Sequence, residues 1–143
     1  PNVKIPVHKI LGKLKNVYLV PPLNYSDFAN LIKISYLILT DSGGLQEEAP
    51  SLGKPVLVMR CVTERPEAVG AGTVKLVGTD EKIIFKEVKK LLTDKSEYNK
   101  MARSTNPYGD GFAAKRTVDF IEYYFGLSVQ RTGEFYAGTK KIQ

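Results

Sequence analysis

The sequence has little of what builds disulfide scaffolds, membrane spans or familiar phosphate loops. It holds one cysteine, Cys61, and one histidine, His8. A lone cysteine closes no internal disulfide. As a nucleophile it would need a base partner, and the sequence supplies none. The longest apolar runs, Tyr-Leu-Ile-Leu at 36–39 and Val-Leu-Val-Met at 56–59, fall far short of the roughly 18 residues that a spanning helix needs. The first 15 residues carry four lysines and no long apolar block, so no secretory signal is visible and a cytoplasmic home is expected. No Gly-Lys-Ser/Thr follows a glycine loop, and no G-x-G-x-x-G occurs. Zinc-finger and RNA-binding signatures are absent as well. The formal charge of +6 is scattered, and its densest stretch (Lys82, Lys86, Lys89, Lys90) is interleaved with Asp80, Glu81 and Glu87. That is the pattern of a solvated helix face, so neither nucleic acid nor a membrane surface is expected as a partner, and an anionic small molecule is.

What is present suits a globular α/β domain. With 43% hydrophobic and 25% charged residues, the chain lies in the ordinary soluble range. At 143 residues it is long enough to hide about two-thirds of its unfolded surface. Apolar runs at 17–20, 36–39, 56–59 and 74–77 follow one another every 18 to 20 residues. That spacing is too long for hairpins and fits strand, helix and return, so four parallel strands buried on both faces are expected. Val7, Ile10, Leu11 and Leu14 form a helical stripe behind Pro6, which suits a first turn. Asn24 and Asp80 are placed to cap helices, the second running to Leu92 with Ile84, Val88, Leu91 and Leu92 on one face. A last helix is expected over 112–125, with Ala114, Val118, Ile121 and Phe125 in register. From Ser128 the periodicity stops. The expected division is a nucleotide-binding domain over 1–127 and a polar tail over 128–143, loosely ordered or packed on another body. A small sheet and an opening at Pro1-Asn2 without methionine together suggest a piece of a larger protein.

The chemistry is concentrated between Thr40 and Glu67. After the run at 36–39 comes Thr40-Asp41-Ser42-Gly43-Gly44, then a helix-compatible Leu45-Gln46-Glu47-Glu48-Ala49. In an open parallel sheet this strand end is where ligands bind. Two glycines let the backbone approach an anion, and amides at a helix start can hold phosphate oxygens. Ser42 adds a hydroxyl, or else is a plain helix cap on a tight turn. The loop alone leaves these two readings even. After the run at 56–59 comes Arg60-Cys61-Val62-Thr63-Glu64-Arg65-Pro66-Glu67. Its two arginines and two glutamates suit bidentate pairing with phosphate under balanced charge. Two such loops at the ends of successive strands favour a diphosphate site. Glu48, one turn behind the glycines, suits ribose hydroxyls rather than phosphate.

The run 39–60, followed by Thr63-Glu64-Arg65-Pro66-Glu67-Ala68-Val69 and Asn106-Pro107-Tyr108-Gly109-Asp110-Gly111, closely resembles the non-hydrolysing UDP-N-acetylglucosamine 2-epimerases. The resemblance spans about residues 1–125 and fails over the tail. It implies the GT-B architecture, two Rossmann-like domains facing across a cleft, with this chain as the C-terminal half: a parallel sheet flanked by helices. It implies an isomerase that interconverts UDP-N-acetylglucosamine and UDP-N-acetylmannosamine by anti elimination of UDP, giving 2-acetamidoglucal, and syn re-addition. Carried over residue by residue, it puts Ser42, Gly43 and Gly44 on the diphosphate and Glu48 on the ribose. Arg65 falls on phosphate near the departing oxygen, as the one catalytic residue here, and Phe28 falls against uracil, whose edge the backbone near Pro22 and Leu23 would read.

The same resemblance places the acid and base carboxylates, and a histidine-arginine motif, upstream of Pro1. His8 has no claim to replace them, and Cys61 stands where relatives commonly carry a polar residue. The fragment alone is then expected to be inactive. No cofactor or metal is expected beyond the UDP moiety of the substrate. Expected partners are the UDP-sugar, the N-terminal domain of the same protein and a second copy in a full-length homodimer. The alternatives are a GT-B glycosyltransferase or hydrolysing epimerase using the same loop, and a stand-alone nucleotide-binding module. The runs at 63–67 and 106–111 count against a transferase.

Overall fold

In the computed structural model, which describes residues 3–135, the elements run α1 (Lys4–Leu11), α2 (Tyr25–Ile34), β1 (Ile38–Thr40), α3 (Leu45–Ser51), β2 (Val56–Val58), α4 (Pro66–Ala71), β3 (Val74–Leu76), α5 (Glu81–Thr93), α6 (Lys95–Ala102) and α7 (Ala113–Tyr124). The chain forms two units that meet in sequence between Leu31 and Ile32. In the first, Asn24 caps α2 as expected. Its Oδ1 accepts from the Asp27 amide at 2.9 Å, and its Nδ2 donates to the Asp27 carboxylate at 2.8 Å. The run at 17–20 departs from expectation, because it forms no strand. The Val17 amide closes a turn on the Leu14 carbonyl, and Tyr18 and Val20 are exposed. β-type composition marks a segment that tolerates extended backbone, but a strand also needs a neighbouring backbone for its ladder. Among the described residues, 17–20 has none.

The second unit holds a three-stranded parallel sheet in the order β1-β2-β3. Ile38, Val56 and Val74 stand side by side, as do Leu39, Leu57 and Lys75. The sequence predicts these three strands because each is a short apolar run, and the central one is buried at every position. Leu57, Val77 and Leu91 form the core, against which Leu37, Met59, Ile84, Val88 and Met101 pack. The α5 stripe thus delivers Ile84, Val88 and Leu91 inward, while Leu92, expected with them, is 59% exposed. Asp80 caps α5 by accepting from the amides of Lys82 and Ile83. Gly72, at φ +79°, ends α4 in the left-handed conformation and turns the chain into β3. The last helix forms where expected, but Val118, Ile121 and Phe125 remain exposed. Among the described residues its apolar register has nothing laid over it.

Between α5 and α6, Glu97 receives Lys90 at 2.5 Å and also pairs with Lys100 on its own helix. Lys100, then Lys90, hold its carboxyl down at about 2 against an ordinary 4.5. A carboxyl lowered by folding adds stability above its ordinary value and loses it as pH falls toward the folded value. Glu97→Gln should therefore lower stability at neutral pH, and the difference from the parent should vanish as pH falls from 4.5 to about 2. Chemical denaturation at a series of pH values reads it, and a pH-independent difference would contradict it.

Candidate functional site

β1 and β2 run parallel in register, so their carboxyl ends open at one edge of the sheet. From β1 the chain enters the turn Asp41-Ser42-Gly43-Gly44 and then α3. The Ser42 amide donates to Thr40 Oγ1 at 3.0 Å, which folds the turn back on the strand end. The helix cap is Gly44 rather than Ser42. The Ser42 hydroxyl does no capping and has no partner among the described residues. The amides of Gly43, Gly44 and Leu45 likewise donate to no protein group there. A methyl at Gly44 would stand 3.8 Å from Glu48 Oε1 and 3.9 Å from Ser42 Oγ, so Glu48 and Ser42 flank the same glycine. At Gly43 an added Cβ would come 2.9 Å from Glu64 Oε1, so the end of that flexible side chain would have to move aside.

Glu64 belongs to the second loop, which leaves β2 and enters α4 with Pro66 in its first turn. Arg60 Nη1 donates to both oxygens of Glu64, at 3.3 and 3.0 Å. Arg65 Nε donates to Glu47 on α3, and its Nη1 to the Glu64 carbonyl at 3.3 Å. The Glu47 hydrogen bond is the main cause of a guanidinium pKa raised above its already high value. Glu64 is held below the ordinary carboxylate value, first by its own backbone amide and then by Arg60 and Arg65, against some desolvation. Arg60 finds its carboxylate within the loop, at Glu64, whereas Arg65 finds its own on α3, at Glu47, rather than at the loop's second glutamate, Glu67.

The two loops are also tied by a side chain that the sequence reading passed over. Gln46 is fully buried. Its Nε2 donates to the Ser42 carbonyl at 3.2 Å, and its Oε1 accepts from the Thr63 hydroxyl at 2.6 Å. Thr63 Oγ1 in turn accepts from the Arg65 amide at 3.0 Å. The signal that would have found Gln46 is a polar residue at the inward position of a helix whose neighbours Ala49 and Pro50 are also buried. Behind α3 the run at 106–111 packs alongside. Asn106 Nδ2 donates to Ser51 Oγ at 2.8 Å, and a cavity of about 620 Å³ lies between Glu48, Tyr108, Asp110 and Arg116. Arg116 also faces the Phe135 ring, 5.7 Å from its centroid. Residues 125–135 contain no helix or strand, and 136–143 of the expected tail lie outside the described residues.

Phe28 belongs to the first unit, half-buried on α2, and Pro22 and Leu23 before it are exposed. His8 and Cys61 are exposed. Among the described residues, no group of three or more His, Cys, Asp or Glu is placed to hold a metal ion, and no helix is long and apolar enough to cross a membrane.

The family described as UDP-N-acetylglucosamine 2-epimerase matches residues 1–122. The chain belongs to that family. The UDP-N-acetylglucosamine 2-epimerase of Escherichia coli K12 is 60% identical over 122 residues, which are 85% of this chain and 32% of that protein. The UDP co-structure of S. aureus MnaA superposes with a TM-score of 0.86 at 49% identity, over 95% of this chain and 37% of that one. The Neisseria meningitidis UDP-GlcNAc 2-epimerase, solved bound to UDP-GlcNAc, gives 0.79 at 51%, over 85% and 33%. The chain thus spans about a third of the length of the 2-epimerases it matches. Its helix-flanked parallel sheet is one half of the GT-B fold of these 2-epimerases, and the two loops at its edge fall within the matched residues.

Proposed function

We propose that this chain is the UDP-binding half of a protein that interconverts UDP-N-acetylglucosamine and UDP-N-acetylmannosamine. One observation carries the reading: unpartnered donors on Ser42, Gly43, Gly44 and Leu45 stand at the same sheet edge as Arg65, joined to it through Gln46 and Thr63. Such a set suits a diphosphate, because several short neutral donors and one guanidinium fork spread their hydrogen bonds over many oxygens. The solved relatives described with UDP or UDP-GlcNAc support the same ligand.

In the proposed reaction a base removes the C2 proton, the C2–H electron pair forms the C1–C2 double bond, and the C1–oxygen pair leaves with UDP. The 2-acetamidoglucal then turns over, and UDP closes its C1–oxygen bond on the face it left while the double-bond pair takes a proton at C2 on that same face, so that C2 alone inverts. The departing UDP gains charge as the bond breaks. Ser42, the glycine amides and Arg65 therefore bind more tightly in the transition state than before it, which is the condition for catalysis. Glu64, beside Gly43, keeps its charge offset by Arg60. Glu48 takes the ribose hydroxyls, and Phe28 takes uracil. The acid and base carboxylates belong to an N-terminal domain of the full-length protein.

Titration of the labelled chain with UDP, followed by amide NMR, should move the resonances of Gly43, Gly44 and Leu45 most, whereas uridine at equal concentration should leave them in place. Equal shifts with uridine would remove the diphosphate from the turn. For Phe28 two outcomes compete. A core aromatic cut to alanine costs about 3–5 kcal/mol of stability. A base-stacking aromatic costs about 1–3 kcal/mol of binding. Half-burial of Phe28 suits either, and the family resemblance favours the second, so Phe28→Ala should weaken UDP binding while the melting temperature moves little. A large fall in melting temperature with UDP affinity kept would return it to packing.

A further inference from the structure

We infer that the Thr63 hydroxyl is a positioning group that fixes Arg65 against the glycine turn and so sets the preference for a diphosphate over a monophosphate. The inference rests on the UDP-binding reading above and deepens it, giving the Thr63 link a part in the choice between phosphates. Its basis is the direction of the hydrogen bonds. The Arg65 amide is a donor, so Thr63 Oγ1 must accept from it, and the Thr63 proton is left for Gln46 Oε1. That fixes the Gln46 amide with Nε2 toward the Ser42 carbonyl. The relay runs one way only, from Arg65 N–H through Thr63 and Gln46 to the Ser42 carbonyl, and each member can be satisfied in no other arrangement. Gln46 is fully buried, so an unmet acceptor there has no water to turn to.

The consequence for the ligand follows from where the ends of the relay lie. One end is the peptide immediately before Gly43, and the other is the backbone of Arg65 itself. Glu47, next to Gln46 on α3, holds the same arginine by Nε. Backbone and side chain of Arg65 are thus both referenced to α3, whose first residues carry the free amides. A guanidinium fork gains its bidentate bonds only when its plane is set in advance. A ligand with one phosphate can be held by the turn alone. A second phosphate needs turn and fork together.

The test compares UDP and UMP affinity for the 143-residue chain, for Thr63→Val, which keeps shape and loses the hydroxyl, and for Thr63→Ser, which keeps the hydroxyl. The parent should prefer UDP. Thr63→Val should lose about tenfold of that preference, the value of one charge-assisted hydrogen bond, with UMP affinity held. Thr63→Ser should keep the preference. A packing role alone would change the melting temperature and leave the UDP-to-UMP ratio unmoved. If the parent prefers UDP and Thr63→Val prefers it equally, the positioning role is overturned while the UDP reading stands. Loss of the preference in Thr63→Ser would also overturn it, and a parent that does not discriminate at all would overturn both.

Discussion

Residues 1–143, incubated with UDP-N-acetylglucosamine in deuterium oxide, should leave the hydrogen at C2 of the sugar unexchanged. Exchange needs a base within hydrogen-bond reach of that carbon, and the positioned acid and base of such reactions supply about 10²–10⁴-fold each. Three carboxylates near the glycine turn are each held by an arginine. Glu47 holds Arg65, and Glu64 holds Arg60. Asp110 receives both terminal nitrogens of Arg116, at 2.7 and 2.6 Å, and that arginine holds its carboxyl well below the usual carboxylate range. A carboxylate pinned by a guanidinium is a poor proton acceptor, because taking the proton gives up the ion pair. Glu48 stands beside Gly44, and as the proposed partner of the ribose it would lie one diphosphate away from the sugar's C2. The proposed epimerase needs groups from the remaining two-thirds of the length its relatives have. Deuterium appearing at C2 above an enzyme-free control would show that a base is present in this chain after all.

The parts of this architecture legible in the sequence are those set by local chemistry. Val56, Leu57 and Val58 read as a buried strand because no polar residue interrupts them, and they are fully buried. Asn24 and Asp80 read as caps because a cap is a contact between a side chain and amides two or three residues on. The Asp94 cap of α6 has the same form, accepting from the amides of Ser96 and Glu97, yet the sequence pattern does not announce this helix. Its apolar stripe is thin. What holds it is distant: the Tyr98 ring stacks on Tyr36 with centroids 4.2 Å apart, and the Tyr98 hydroxyl donates to the Tyr36 carbonyl. Residues 17–20 mark the opposite error, since their composition suits a strand and only the surroundings decide.

The site divides along the same line. Ser42, Gly43, Gly44 and Glu48 are close in sequence, and the turn brings them together as the spacing predicts. Arg65 follows another strand, and the parallel register of β1 with β2 brings its loop to the same edge. Periodicity conveys that much. It does not convey that Gln46 and Thr63, 17 residues apart, are bonded, because pairing between side chains on different elements leaves no period in the chain. Polar residues of that kind become visible as organisers only when burial is known.

The second large effect is expected at Arg65. Its Nε and Nη1 are engaged by Glu47 and by the Glu64 carbonyl, which leaves Nη2 without a bond among the described residues and the plane of the fork set. Lysine keeps the charge and loses that plane, since an ammonium is a point donor on a flexible stem. Arg65→Lys should therefore weaken UDP binding by about 10- to 100-fold, the cost of one charge-assisted hydrogen bond, and leave UMP binding nearly unchanged. Titration calorimetry of the 143-residue chain with UDP and with UMP, on the parent and on Arg65→Lys, tests the central claim most directly. The account predicts tighter binding of UDP by the parent and a collapse of that difference in the variant. Equal affinity of the parent for UDP and UMP would contradict a diphosphate site built from the glycine turn and Arg65.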